Sequence, residues 1–173
     1  NNKKPFLGIC YGMQLSVVEY ARNVAGMKRA HTTEVNSKTK YPVIDMLPEQ
    51  KENIAVKNLG GSMRLGSYPC RLKKGSIAWK AYGTEQLIRE RHRHRYELNN
   101  TLRERLTKKG LVVSGVNPER NLVEIIELPG HPFYIGVQFH PELQSRPLSR
   151  HPLFVAFLEA CAKRAQARAK GGG

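Results

Sequence analysis

The stretch Gly8-Ile9-Cys10-Tyr11-Gly12-Met13-Gln14 decides how the rest of the chain is read. It follows the short apolar run Pro5-Phe6-Leu7 and precedes a segment in which Leu15, Val18, Ala21 and Ala25 recur near helical spacing. Gly26 stands where a C-cap glycine belongs. The pattern is strand over 5–9, tight turn, then helix from Gly12 to about Ala25, with Cys10 on the turn. A buried structural thiol needs no glycine on either side; a nucleophile lifted out of a sheet by a sharp bend does. Gly-x-Cys-x-Gly at such a bend is the cysteine form of the nucleophile elbow. Both glycines are expected to remove Cβ atoms that would collide there. The helix N-terminus is expected to favour thiolate and to lower the pKa of Cys10 below the free value of about 8.5. The N–H of Tyr11 is placed to donate to an oxyanion.

A nucleophilic cysteine needs an imidazole. Of the six histidines, His131, His140 and His151 precede proline. Only His140 follows a long apolar strand, FYIGVQF (133–139), and only it has a carboxylate two residues on, in His140-Pro141-Glu142. His140 is therefore the candidate proton shuttle and Glu142 the group that orients it. His131 and His151, at a turn and a helix start, read as capping or packing residues.

Outward from these motifs the chain reads as one α/β domain without internal repeats. Residues 28–60 are polar and irregular, with one short strand at most. Residues 60–76 look like a β-excursion, Trp79 marks a short helical turn, and 99–110 form a helix. Strand-like runs cover 111–116, 122–128 and 133–139. The last helix begins near Pro152, with Phe154, Phe157, Leu158 and Cys161 as its apolar stripe. The domain is expected over 1–165, with 166–173 a disordered basic, glycine-ended tail.

The 173 residues carry a formal charge of +15, concentrated in RERHRHR (89–95) and KRAQARAK (163–170). Such a charge suggests nucleic acid. The tail lacks interleaved aromatics, however, and reads as a solvated basic helix end, so nucleic acid is the lesser reading. Three cysteines without Cys-x-x-Cys spacing point to a reducing, cytoplasmic setting. Cys70 and Cys161 read as plain thiols, and no metal site is expected. No apolar run is long enough to cross a membrane. The chain has no initiator Met and is expected to be incomplete at its N-terminus.

GICYGMQ, followed about 130 residues later by FHPE, resembles the class I glutamine amidotransferases. More narrowly, NLGGSMRLG (58–66), ERHRHRYELNN (90–100), LVEIIELPGHPF (122–133) and GVQFHPEL (136–143) resemble the C-terminal glutaminase domain of the CTP synthases, over nearly the whole chain from about Pro5 to Ala162. The resemblance implies a three-layer αβα, flavodoxin-like domain that hydrolyses L-glutamine through Cys10, His140 and Glu142. It implies that Gln14, Glu34 and Arg95 grip the substrate, Arg95 on the α-carboxylate and Glu34 on the α-amino group, with the backbone near Tyr11 and Tyr96 lining the pocket. It also implies a separate synthetase domain that aminates UTP with ATP and Mg²⁺, activation by GTP, a homotetramer, and a second oxyanion donor from a glycine-rich loop upstream of residue 1. Another class I amidotransferase, or an amidase or peptidase with the same triad, is the alternative.

Overall fold

In the computed structural model, residues 3–48, 50 and 63–170 are described. Nine strands lie among them: β1 (Phe6–Ile9), β2 (Ala30–Thr32), β3 (Tyr41–Met46), β4 (Arg64–Leu72), β5 (Leu87–His94), β6 (Tyr96–Leu98), β7 (Val112–Val116), β8 (Val123–Glu127) and β9 (Tyr134–Val137). The helices are α1 (Tyr11–Asn23), α2 (Ile77–Ala81), α3 (Asn100–Thr107) and α4 (Pro152–Lys170), with a 3₁₀ turn at Pro141–Leu143.

Six strands form a sheet in the order β1-β9-β8-β7-β4-β5, and three form a second in the order β2-β3-β6. β1 and β9 run parallel, with Gly8 opposite Gly136 and Ile9 opposite Val137. The other ladders of the large sheet are antiparallel. The α/β layering is as expected, and the sheet is mixed. Two apolar clusters lie on its two faces. One is built on Met13, Val17, Val18 and Ala21 of α1 together with Ile44, Leu98 and Ile126. The other joins Ile125, Ile135, Val137 and Phe139 to Leu153 and Phe157 of α4. Helix α1 sits close to the sheet because β9 offers no side chain at Gly136. A Cβ there would meet Met13 Cγ at 3.0 Å and Ile126 Cγ1 at 2.9 Å.

Three expectations change. The short strand expected within 28–60 becomes two, β2 and β3; Pro42 and Asp45 hide the alternation that would mark β3. The buried stripe of α4 is Leu153, Ala156, Phe157 and Ala160, one residue out of step with the expected stripe, and Leu158 is 65% exposed. Residues 153–158 are apolar, so spacing alone fits either face; packing in one cluster with Phe133 and Ile135 selects Leu153. Helix α4 also runs on to Lys170, so the expected boundary at 165 falls inside it and 166–170 continue the helix rather than opening a disordered tail. His151 does cap α4, its Nδ1 accepting from Leu153 N at 3.3 Å, and His131 accepts from Phe133 N at 3.2 Å in its turn.

Candidate active site

Cys10 ends β1 at φ 49°, ψ −103°, a conformation that costs a non-glycine residue about 1–3 kcal/mol. The bend is held by Cys10 N donating to Val137 O at 2.7 Å and by Gln14 N donating to Cys10 O at 3.1 Å. The two glycines of the motif differ. A Cβ on Gly8 would lie 2.9 Å from the Gly12 carbonyl carbon and 2.8 Å from the Phe6 ring, whereas a Cβ on Gly12 would meet nothing within 4 Å. Only Gly8 is therefore sterically required.

The β9 end brings His140 to the same edge of the sheet. His140 N donates to Arg91 O at 2.8 Å, and the 3₁₀ turn after it carries Glu142 back to the ring. Nδ1 lies 2.6 Å from Glu142 Oε1. A carboxylate oxygen accepts, so Nδ1 donates and Nε2 is the ring nitrogen left to exchange a proton. That Nε2 is buried and has no hydrogen-bond partner among the described residues. The structure thus brings the expected His140–Glu142 pair together.

The expected lowering of the Cys10 pKa is reversed. Burial pushes the thiol up to about 11, and the Glu142 and Glu97 carboxylates push the same way. Donation from the Tyr11 N–H and from the Gln138 side chain opposes them without winning. The N-terminus of α1 is real, but the sulfur it faces is withdrawn from water, and desolvation is the larger effect. Cys10 therefore rests as a thiol near neutral pH.

A cleft of about 520 Å³ opens over Cys10. Its lining includes every residue that the resemblance assigned to glutamine: Tyr11, Gln14, Glu34, Arg95 and Tyr96. Glu34, Arg93 and Arg95 give this lining both signs of charge, which suits a zwitterionic amino acid. Val35, Met63, Arg93 and His94 also line it and were not foreseen. Gln138 was missed as well. It is fully buried, its Nε2 lies 3.6 Å from Cys10 Sγ, and its Oε1 accepts from Gln14 Nε2 at 3.2 Å. Gln14 Nε2 donates in addition to Tyr96 O at 3.0 Å.

Beneath the cleft, the two most distinctive stretches of the sequence meet. Arg64, from the GGSMRLG run, is buried and donates to Glu97 Oε1 at 3.1 Å and to Glu124 Oε1 at 2.7 Å, with Tyr68 stacked 4.6 Å beneath its guanidinium. The alternation of β5 turns Glu90, His92 and His94 inward and Arg89, Arg91 and Arg93 outward. His94 Nδ1 lies 3.1 Å from Tyr96 O, an acceptor, so Nδ1 carries the proton and Nε2 accepts. His92 Nδ1, 2.9 Å from His94 Nε2, must then donate, which leaves His92 Nε2 without a proton. It faces Glu124 Oε2 at 3.6 Å, and neither atom has a hydrogen-bond partner among the described residues. At that separation the two face each other without a hydrogen bond. One arginine stands against two carboxylates, so a proton on either carboxyl makes the set neutral. Burial raises both carboxyl pKa values, Glu97 to about 8, and lowers His92 and His94 to about 2 and 3, so the proton rests on a carboxyl. Among the described residues no group of His, Cys, Asp or Glu is arranged to hold a metal ion.

The comparisons agree with this geometry. The chain is 57% identical over 159 residues to the CTP synthase of Clostridium kluyveri and 56% identical over 169 residues to that of Moorella thermoacetica. The matches cover 92% and 98% of this chain but 29% and 30% of those proteins, so the chain spans under a third of the curated relatives it matches. Among solved structures, the glutaminase domain of Trypanosoma brucei CTPS with bound acivicin superposes with a TM-score of 0.86 at 36% identity, covering 94% of this chain and 61% of that one. A GMP synthase subunit from Thermoplasma acidophilum shares the fold, with a TM-score of 0.60 at 14% identity. The family described as glutamine amidotransferase class-I matches residues 1–160. With the elbow, the imidazole and its carboxylate all on one edge of the sheet, the chain belongs to the class I glutamine amidotransferase family.

Proposed function

We propose that the chain hydrolyses the side-chain amide of L-glutamine and that Cys10, His140 and Glu142 carry the reaction. The observation that carries the proposal is the His140 ring, with Nδ1 tied to Glu142 and Nε2 buried and unpartnered among the described residues. Cys10 Sγ attacks the carboxamide carbon as its proton passes to His140 Nε2. Glu142 stabilises the imidazolium that forms. The tetrahedral oxyanion takes the Tyr11 N–H. The C–N bond then breaks, His140 returns its proton to the departing nitrogen, and ammonia leaves a glutamyl thioester on Cys10. Water attacks the thioester with His140 again as base; the C–S bond breaks, and glutamate leaves as the thiol re-forms. Arg95 takes the substrate α-carboxylate and Glu34 its α-amino group, with the backbone at Tyr96 lining the same wall. Because the thiol is held well above neutrality, His140 has to act in concert with attack.

The chain works, in this reading, as the ammonia-supplying part of a CTP synthase. There UTP is aminated in an ATP- and Mg²⁺-dependent reaction, GTP activates, and the assembly is a homotetramer in the cytoplasm. Identity of 54–57% over 91–98% of the chain to CTP synthases supports this narrower assignment. Among the described residues no helix is long and apolar enough to cross a membrane.

The test is release of glutamate and ammonia from glutamine by the chain, with Cys10→Ala as control. Turnover that persists in the alanine variant overturns the mechanism. Activity on other amides with none on glutamine favours a different amidase. Labelling by an electrophilic glutamine analogue, read as a mass adduct on Cys10 alone among the three cysteines, reports pocket assembly separately from turnover.

A further inference from the structure

Gln138 is a buried side chain that the reaction above does not use, yet it touches the reacting sulfur. We propose that Tyr96, Gln14 and Gln138 form a one-way amide relay that presents a fixed N–H to Cys10 Sγ, making Gln138 a catalytic residue that stabilises the thiolate and Gln14 the residue that positions it.

The direction of the relay follows from what each atom can do. The Tyr96 carbonyl only accepts, and it lies 3.0 Å from Gln14 Nε2. Gln14 must therefore turn its NH₂ group inward, toward both Tyr96 O and the Gln138 amide. That group reaches Gln138 Oε1 at 3.2 Å. Were Gln138 to flip, its NH₂ would face the NH₂ of Gln14, and its oxygen would face the sulfur. The NH₂ groups would repel each other, so the remaining orientation puts Nε2 toward Cys10 Sγ, at 3.6 Å. The backbone at Gln138 is pinned by its N–H donating to Glu124 O at 2.9 Å, and the side chain has no access to water to exchange partners. At the other end, His94 Nδ1 also donates to Tyr96 O, at 3.1 Å, which holds the carbonyl in place.

The relay answers a difficulty of the site. Glu142 and Glu97 both disfavour negative charge on the sulfur, as does burial. One of the two opposing donors, the Tyr11 N–H, is also the oxyanion donor of the proposed reaction. Gln138 is the donor that can stay with the sulfur. Its bond strengthens as charge develops on the sulfur during proton transfer and weakens once the C–S bond of the thioester forms, so its effect falls on making the nucleophile. Gln14 thereby acquires a role through Gln138 in addition to lining the cleft.

The inference rests on the glutaminase reading but is tested without glutamine. The rate of Cys10 alkylation by iodoacetamide, read by peptide mass, is measured against pH for the chain and for Gln138→Met, which keeps the volume and removes the donor. The expected result is a midpoint raised by about one pH unit, which is tenfold less thiolate at a fixed pH below it, with the same plateau rate at high pH. Gln14→Leu, which frees the Gln138 amide to turn, is expected to move the midpoint the same way by less. Gln138→Glu is expected to move it furthest. In turnover, Gln138→Met is expected to lower kcat and leave KM for glutamine in place. An unchanged alkylation midpoint in both Gln138→Met and Gln14→Leu overturns the relay. A shifted midpoint in a chain that does not hydrolyse glutamine sustains the relay and overturns only the reaction. Should Gln138→Met not fold by far-UV circular dichroism, Gln14→Leu and Gln138→Glu decide the matter alone.

Discussion

Replacing Arg64 by Met removes the positive charge between two carboxylates while keeping most of the volume stacked on Tyr68. The side chains of Arg64, Glu97 and Glu124 are 1%, 2% and 0% exposed, so water cannot take over the role of the guanidinium. In the native cluster burial already raises the Glu97 pKa to about 8, so that carboxyl holds a proton at pH 7. Without Arg64 it reaches neutrality only by taking a second. Keeping a carboxyl whose unfolded pKa is 4.5 protonated at pH 7 costs about 3.5 kcal/mol. This agrees with the roughly 3–5 kcal/mol lost when one partner of a buried ion pair is removed. The cost depends on pH in a definite way. The unfolded chain gives up that proton above pH 4.5, so the deficit shrinks by about 1.4 kcal/mol per unit of acidification, to about 1 kcal/mol at pH 5. Urea unfolding of both chains at pH 5, 6 and 7 measures the difference directly. A deficit under 1 kcal/mol at pH 7, or one that does not change between pH 5 and 7, refutes the reasoning. Arg64→Met/Glu97→Gln should recover most of the loss at pH 7, because the double variant needs no second proton.

Two further outcomes follow from the same geometry. Glu97 has a folded pKa raised to about 8, so the native state binds a proton that the unfolded chain loses, and this group's stabilisation is present below pH 4.5 and lost on the way to about pH 8. His92 and His94 have folded values lowered to about 2 and 3, so their contribution is complete above pH 6.5 and is lost as pH falls toward those values. Together they place the cluster's optimum near pH 6.5, and Glu97→Gln should abolish its decline between pH 6.5 and 8 in urea titrations. Gly8→Ala should destabilise the chain by about 1–3 kcal/mol through overpacking and slow labelling of Cys10. Gly12→Ala, facing open space, should leave both within about 1 kcal/mol or twofold; equal effects at the two positions would contradict the geometry of the elbow.

The elements legible in the sequence were those whose signals are local. β1, the turn and α1 follow from an apolar run, two glycines and a helical period, and β7, β8 and β9 from apolar runs bounded by turn residues. His140 and Glu142 were legible as a pair because they are two residues apart, close enough for one 3₁₀ turn to join them. The cleft residues Gln14, Glu34, Arg95 and Tyr96 were reached through family resemblance, since nothing in their spacing brings 14, 34 and 95 together.

Tertiary structure decided the rest, and the reason is the same in each case: the interaction lies between positions far apart in the chain. Gln138 reaches Cys10 across 128 residues, and Arg64 reaches Glu124 across 60. The Cys10 pKa was misread because the helix dipole is visible in a local pattern, whereas burial and the carboxylates of Glu142 and Glu97 are not. The stripe of α4 was misread by one residue because a nearly all-apolar turn has no preferred face until a sheet is packed against it. Sequence alone determined that a cysteine stands on a strained turn with an imidazole and a carboxylate available to it. Only the folded sheet, which sets β1 beside β9 in parallel, placed the sulfur against a buried amide and, by burying it, held it as a thiol.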